Sequence, residues 1–305
     1  MSDRNLLHLN INLKYSKNFT NVKFVCMGGC ANRMKNFAIK FSESSNILLS
    51  DEYNCGKRYV FYMVGPILFV NHGMGMPSIT ILLHEITILL KSAGATDYIY
   101  LRIGSCGGIG IPSGTVVVSS ESLNSNLESH YNINLLGNTI KRSTVADKVI
   151  INELLNIENN CFNTISGKTL CTNDFYEEQY RMDGAICTID DNEQYKYLKA
   201  LKDAGIVNME MESLAFYGFC NELDIKSAVI CVVLINRFDN VRNHVDYDIY
   251  PQILVVKYMC DKLLYNKLLN KSQCQEIVNY FTKGSNCFSY SYSTLRINKN
   301  ERKRK

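Results

Sequence analysis

Four residues inside the run FYEEQYRMDG, Phe175, Tyr176, Gln179 and Arg181, combine two aromatic rings, an amide and a guanidinium. An amide both donates and accepts, a guanidinium only donates, and a ring offers a face for stacking. Together they suit a pocket that reads the edge of a flat heterocycle. A solvated turn would need none of that order. A second group suits an anion. Gly29 precedes Arg33 by four residues in GGCANRMK, Arg58 heads the run YVFY, and Arg102 stands three residues before Ser105 in LRIGSCGG. An arginine inside a β-run is costly unless its guanidinium leaves the sheet or meets an anion. Several of them, with a glycine N–H and a hydroxyl, can make a phosphate site. The third group is NMEMES, where Glu210, Met211 and Glu212 sit at a strand-to-helix junction. A carboxylate there either caps the helix or accepts from two vicinal hydroxyls, as on a ribose.

Three other motifs fail. SGKT (166–169) has the lysine and threonine of a phosphate loop, but Phe162 stands where its first glycine belongs. HEITI has Ile88 in place of the second histidine of a zinc helix, and GSCGGIG does not fit the dinucleotide fingerprint. No His, Cys and Asp cluster has metal-ligand spacing. Neither a metal nor a dinucleotide is indicated.

The elements that must position these groups alternate between strand and helix. VKFVCMGG is an apolar strand ending in glycines, and ANRMKNFAIKFSE has helical spacing. YVFYMVGPILFVNHG reads as two strands joined at Gly65 and Pro66. PSITILLHEITILLKSAG reads as a helix that starts at Pro77 and Ser78 and stops at Gly94. DYIYLRIGSCGGIG predicts a strand running into a glycine-rich loop, and GTVVVSS another strand. Helices are expected over 146–158 and 192–204, then a strand at GIVNMEM and a helix from Ser213 to about Leu223. The strand SAVICVVLIN and a long helix near 249–269 complete the pattern. It predicts one α/β domain over 1–285 with a mixed central β-sheet flanked by helices. Ligands in such sheets collect at strand ends, where these polar loops lie.

The composition is that of a soluble globular protein: 305 residues, 46% hydrophobic and 20% charged. The longest apolar run, ILLHEITILL, is broken by His84 and Glu85, so no membrane association is expected. The first residues, MSDRNLLHLNINLKYSKN, lack the apolar core of a signal peptide. Twelve scattered cysteines without a C-x-x-C then read as reduced thiols of a cytoplasmic protein. The net charge of +4 is carried by the end of the chain. Leu295–Lys305 holds six basic residues against Glu301, which leaves the remaining body slightly negative. The stretch 286–305 is therefore expected to be a disordered basic tail rather than a nucleic-acid module.

Taken in order, LLHEI, RIGSCGGIG, GTVVV, FYEEQYR and EMES resemble the uridine phosphorylases, in the animal-type branch of the nucleoside phosphorylase family. The resemblance runs from about His8 through Arg237 and more loosely to about Leu269. It implies the nucleoside phosphorylase-like fold and reversible phosphorolysis of uridine to uracil and ribose 1-phosphate. Inorganic phosphate is then a co-substrate, and no cofactor is needed. Gly29, Arg33, Arg102 and Ser105 would hold phosphate, joined by Arg58 from a neighbouring subunit. Met211 and Glu212 would hold the ribose hydroxyls, and His8 of the neighbour would meet the 5′-hydroxyl. Phe175, Gln179 and Arg181 would form the base site, closed by Leu234, Ile235 and Arg237 of LINR. Arg102, Gln179 and Arg181 would carry the catalysis, in a homodimer with shared active sites.

Three departures bear on this. Ser105 replaces the family's usual threonine, and Glu178 and Tyr180 replace glycines on either side of Gln179. The added Glu178 carboxylate could pair with Arg181 or Arg237 and compete with the base. A catalytically weak nucleoside-binding paralogue is therefore one alternative. A purine nucleoside phosphorylase is the other. Purine members use an aspartate near the end of the late strand, where this chain has Asn236 and Arg237, with Asp239 the nearby carboxylate.

Overall fold

A computed structural model describes residues 4–50, 53–55, 58–239 and 247–283. The basic tail and the domain boundary expected at 285 lie outside the described residues. The chain begins with a short ladder, β1 (Asn5–Leu6) and β2 (Ile11–Asn12), and a 3-10 turn over Leu13–Phe19. β3 (Phe24–Gly28) feeds α1 (Ala31–Ser45). An antiparallel meander follows, made of β4 (Tyr53–Cys55), β5 (Tyr59–Val64) and β6 (Ile67–Asn71). Next come α2 (Met76–Ala93), β7 (Ile99–Gly108), β8 (Val116–Leu123) and a separate hairpin of β9 (His130–Leu135) and β10 (Asn138–Ser143). The remainder is α3 (Lys148–Leu155), β11 (Thr164–Cys171), α4 (Asp191–Asp203), β12 (Ile206–Glu210) and α5 (Ser213–Glu222). β13 (Ser227–Asn236), α6 (Ile249–Tyr265) and α7 (Lys271–Thr282) end the described chain.

Among the described residues, nine strands form one mixed sheet in the order β12-β11-β8-β13-β7-β3-β6-β5-β4. The strands β3 and β6 are buried along their whole length. Burial on both faces is why they read as unbroken apolar runs instead of alternating ones. Helix α2 packs on α5, α6 packs on α3 and α7, and α7 packs on α1. By length and composition α2 could cross a membrane, yet half of it is buried in the protein. The strand β12 also pairs antiparallel with β7, Asn208 opposite Gly108 and Met209 opposite Gly107. The sheet thus curls back, and the end of β12 runs along β7 toward Arg102.

The expected helices form: 148–155, 213–222 and 249–265 are shorter than expected, and 191–203 is shifted by one residue. Punctuation works as read for α2, where Pro lies in the first turn and Gly94 closes the helix in the left-handed region at φ +74°. The β1–β2 ladder, the 3-10 turn and β4 were not anticipated, and neither were three larger elements. The β9–β10 hairpin is mostly exposed, although Tyr131, Ile133 and Leu135 alternate with polar residues along β9. β11 contains SGKT, which is therefore strand, with Lys168 paired to Glu121 at 3.1 Å. The helix α7 follows a break at Lys267, whose φ is +59°. The glycine-rich loop expected after Arg102 is a correction of a different kind, because β7 continues through Gly108. A Cβ at Gly108 would lie 2.7 Å from Val233, so these glycines admit neighbouring strands rather than form a loop. Nine cysteines are free among the described residues, whereas Cys161 is disulfide-bonded, against the expectation of reduced thiols throughout.

Candidate active site

Arg102 is 2% exposed in the middle of the sheet, and its cost is met by two carboxylates. Its Nη2 contacts Glu210 at 2.8 Å and also donates to Glu212, while Nη1 donates to Cys231 Sγ at 3.2 Å. The two glutamates divide the alternatives open at the sequence level. Glu210 caps α5, accepting from the Ser213 N–H at 3.0 Å, the Ser213 hydroxyl and the Glu212 N–H at 3.0 Å. Glu212 turns away from the helix and accepts from the Gly75 N–H at 2.6 Å. Burial alone would raise the Glu212 pKa, but Arg102, His72 and the Gly75 N–H together hold it below the usual range. Burial likewise opposes the charge on Arg102, and the two carboxylates hold its pKa well above normal. Met211 between the glutamates is half-buried.

The Gly75 turn belongs to the loop that follows β6, and that loop also covers Gly29. A Cβ on Gly29 would lie 3.1 Å from the Gly73 carbonyl and 3.8 Å from the His72 ring. Only glycine permits this approach without displacement. His72 is fully buried here, with no partner on either ring nitrogen among the described residues, and burial lowers its pKa to about 4 against the pull of Glu212. Arg33, on the first turn of α1, forms a 2.9 Å ion pair with Asp248 at the start of α6. Ser105 is half-buried further along β7, opposite Val232. Arg58 is exposed where β5 begins, and His8 lies outside this cluster. The Glu85 carboxylate of α2 holds the His8 ring through Nδ1 at 2.8 Å and accepts the backbone N–H groups of His8 and Leu9.

The run FYEEQYRMDG forms a turn after β11. Gln179 is 3% exposed, and its Nε2 donates to the Thr172 hydroxyl at 3.1 Å. The Thr172 N–H donates to the Glu210 carbonyl at 3.0 Å, which ties the amide to the carboxylate strand. Both contacts arise at the ends of the parallel pair β11 and β12, where such sheets gather ligand groups. Arg237 is buried at the end of β13 and donates to the Gln179 carbonyl at 2.7 Å. Burial, with a push from Arg181, lowers its pKa to about 10, so it stays charged near neutrality. Leu234 and Ile235 are half-buried just before it. Arg181 lies over the Phe175 ring at 4.4 Å and pairs with Asp183, its Nε donating at 2.9 Å.

The carboxylate beside Arg181 is thus Asp183, not Glu178. Glu178 accepts from the Asn173 N–H at 2.6 Å and the Ser125 hydroxyl at 3.3 Å, so it stabilises the turn. Asp239 is exposed and accepts from the Asn236 amide at 2.6 Å. Two clefts of about 370 and 390 Å³ flank α4, and neither is lined by Arg102 or Gln179. Sequence reasoning missed Thr172, His72, Glu85 and Asp248. Glu85 had a signal in the failed HEITI motif and His72 in the paired glycines of NHGMG, whereas Thr172 and Asp248 had none.

The phosphorylase superfamily matches residues 23–249. The chain is 38% identical over 279 residues to uridine phosphorylase 2 of Homo sapiens, covering 86% of this chain and 88% of that protein. It is 37% identical over 256 residues to inactive uridine phosphorylase B of Schistosoma mansoni, covering 80% and 86%. A crystal structure of uridine phosphorylase from Schistosoma mansoni in complex with uracil superposes with a TM-score of 0.79 at 34% identity, covering 87% of this chain and 95% of that one.

Proposed function

This chain belongs to the phosphorylase superfamily, and from that premise we propose that it is a uridine phosphorylase, a pentosyltransferase that converts uridine and phosphate to uracil and ribose 1-phosphate. One observation carries the reading: a buried amide, Gln179, held through Thr172 to the strand of the Arg102 carboxylates. Uracil presents an N3–H donor between two carbonyl acceptors. The Gln179 Oε1 accepts from N3–H, the second Nε2 hydrogen donates to one carbonyl, and Arg181 exchanges Asp183 for the other. Cytosine inverts part of that pattern, and unpaired buried groups of this kind discriminate by as much as about 10⁴-fold.

In the reaction, a phosphate oxygen forms a bond to C1′ of the ribose while the bond from C1′ to N1 breaks. The electron pair of that bond leaves on uracil and spreads over its carbonyls, where Gln179 and Arg181 donate to it. Water later protonates N1, so no dedicated general acid is required. Phosphate lies between Gly29, Arg33, Arg102 and Ser105, with Arg58 from a second subunit. Glu212 and Met211 hold the ribose hydroxyls, and His8 of that second subunit reaches the 5′-hydroxyl. Phe175, Leu234, Ile235 and Arg237 enclose the base. The working unit is a cytoplasmic homodimer that uses no cofactor. Asp239, bonded to Asn236, disfavours the purine alternative.

The test is release of free base from a nucleoside panel with and without phosphate. Uridine is expected to be cleaved only with phosphate, yielding ribose 1-phosphate, and Arg33→Ala to raise the phosphate KM. Equal release in phosphate-free buffer would mean a hydrolase. Similarity to the inactive phosphorylase B supports a second reading, a chain that binds uridine without turning it over. Uridine binding measured by calorimetry without detectable turnover would establish that reading instead.

A further inference from the structure

Three consecutive carbonyls around the base-reading amide each accept a hydrogen bond from a side chain. The Tyr197 hydroxyl donates to the Glu178 carbonyl at 3.3 Å, Arg237 to that of Gln179 at 2.7 Å, and the Gln194 amide to that of Tyr180. Two of those donors stand on α4. The same helix supplies a ring contact: Tyr180 and Tyr197 stack at 3.8 Å with 11° between their planes. Tyr180 needs such support, because its φ of +50° lies in the left-handed region that disfavours a bulky side chain.

From this we infer that Gln194 and Tyr197 of α4 are positioning residues for the base site, clamping the turn so that Gln179 presents its amide. The inference rests on the uridine reading given above. Its physical basis is rigidity at one spot. Backbone carbonyls of a turn are normally left to water, and fixing three in succession removes the freedom of the residue between them. The clamp itself is anchored. Leu198 and Leu201 of α4 are buried in a small core with Leu123, Leu170, Ile206 and Met209, and a capping box of Asp190 and Glu193 closes the helix start. Burial raises the Tyr197 pKa to about 12, which keeps its hydroxyl protonated as a donor. Among the described residues the Gln179 Oε1 accepts no hydrogen bond, so the clamped amide keeps its acceptor for a ligand. Tyr180, where the family has glycine, is then part of the clamp rather than a defect.

The experiment compares Tyr197→Leu, Tyr197→Phe and Gln194→Met with the full-length wild type. A misplaced reading group costs on the order of tenfold to a hundredfold in kcat/KM. Tyr197→Leu, which loses both stack and donor, should lower kcat/KM for uridine in that range. Its KM for phosphate should stay as in wild type, and hydrogen exchange should quicken over 175–184 but not in α5 or β7. Tyr197→Phe keeps the stack and should remain within about threefold of wild type. Gln194→Met removes one bond and leaves the helix core intact, so it should shift uridine alone even if Tyr197→Leu folds poorly. Unchanged uridine parameters with unchanged exchange would overturn the clamp. So would an equal loss for uridine and phosphate, which would mark a purely structural role. A wild type that fails to cleave uridine would sink the functional reading instead, and exchange over 175–184 would then decide the clamp.

Discussion

Glu178 shows how far a single residue can be judged by its type. As an added carboxylate near two arginines it promised competition with the base. In the folded turn it accepts from Asn173 and Ser125, and Asp183 occupies Arg181. Glu178→Gln, which removes the charge and keeps an acceptor, should therefore leave the uridine KM within about twofold of wild type, since no ion pair to a base-site arginine is lost. A clear tightening of uridine in steady-state assays would show that the carboxylate does compete. Arg102 makes the converse point. Its type suggested an anion clamp, and the structure shows that it also neutralises two buried glutamates. Removing it would leave uncompensated buried charge, so loss of activity in Arg102→Ala would not by itself identify a phosphate ligand.

At the level of elements, the loop between β6 and α2 does the most with the least sequence. Gly73 lies over Gly29, Gly75 donates to Glu212, and His72 is buried behind both. The His72 pKa falls from 6.5 to about 4. Between those values the unfolded chain binds a proton that the folded chain refuses. The stability is therefore full above about pH 6.5 and lost progressively as the pH falls toward 4. From pH 7 to 5 this single group should remove roughly 2 kcal/mol. Urea midpoints at the two pH values measure it, and His72→Asn should show a smaller drop than wild type by about that amount. An identical drop in both proteins would exclude His72 as the cause.

The whole molecule as a single chain leaves Arg58 exposed and His8 on Glu85, outside the Arg102 cluster. If both act in a partner's site, Arg58→Ala and Glu212→Gln should each be nearly inactive. Glu212→Gln keeps an acceptor for the Gly75 N–H, and Glu210 still faces Arg102, so the fold should survive. Refolding the two variants together gives mixed dimers in which one site holds both lesions and the other none. With random exchange, roughly a quarter of all sites should recover activity. Mixed dimers confirmed by native mass spectrometry but no more active than either parent would mean that each chain completes its own site.

How much of this was legible in the sequence follows from the range of each interaction. Local chemistry was readable: the strand-forming apolar runs, the proline and glycine that bound α2, and the amide, guanidinium and rings of residues 175–181 depend on near neighbours. Family resemblance added the roles. Partner choice was not readable, because it depends on strand order and register. Arg102 meets Glu212 only because β12 pairs back along β7. Thr172 meets Glu210 because β11 ends beside β12, and Tyr197 meets Tyr180 because a small core seats α4 against that edge. Even the glycines of GSCGGIG changed meaning, from a loop to a strand pressed by Val233 and Arg237. Residue types decided which bonds this protein is able to make. The curled sheet decided which of them form, since burial leaves each polar group only the partner that the register sets beside it.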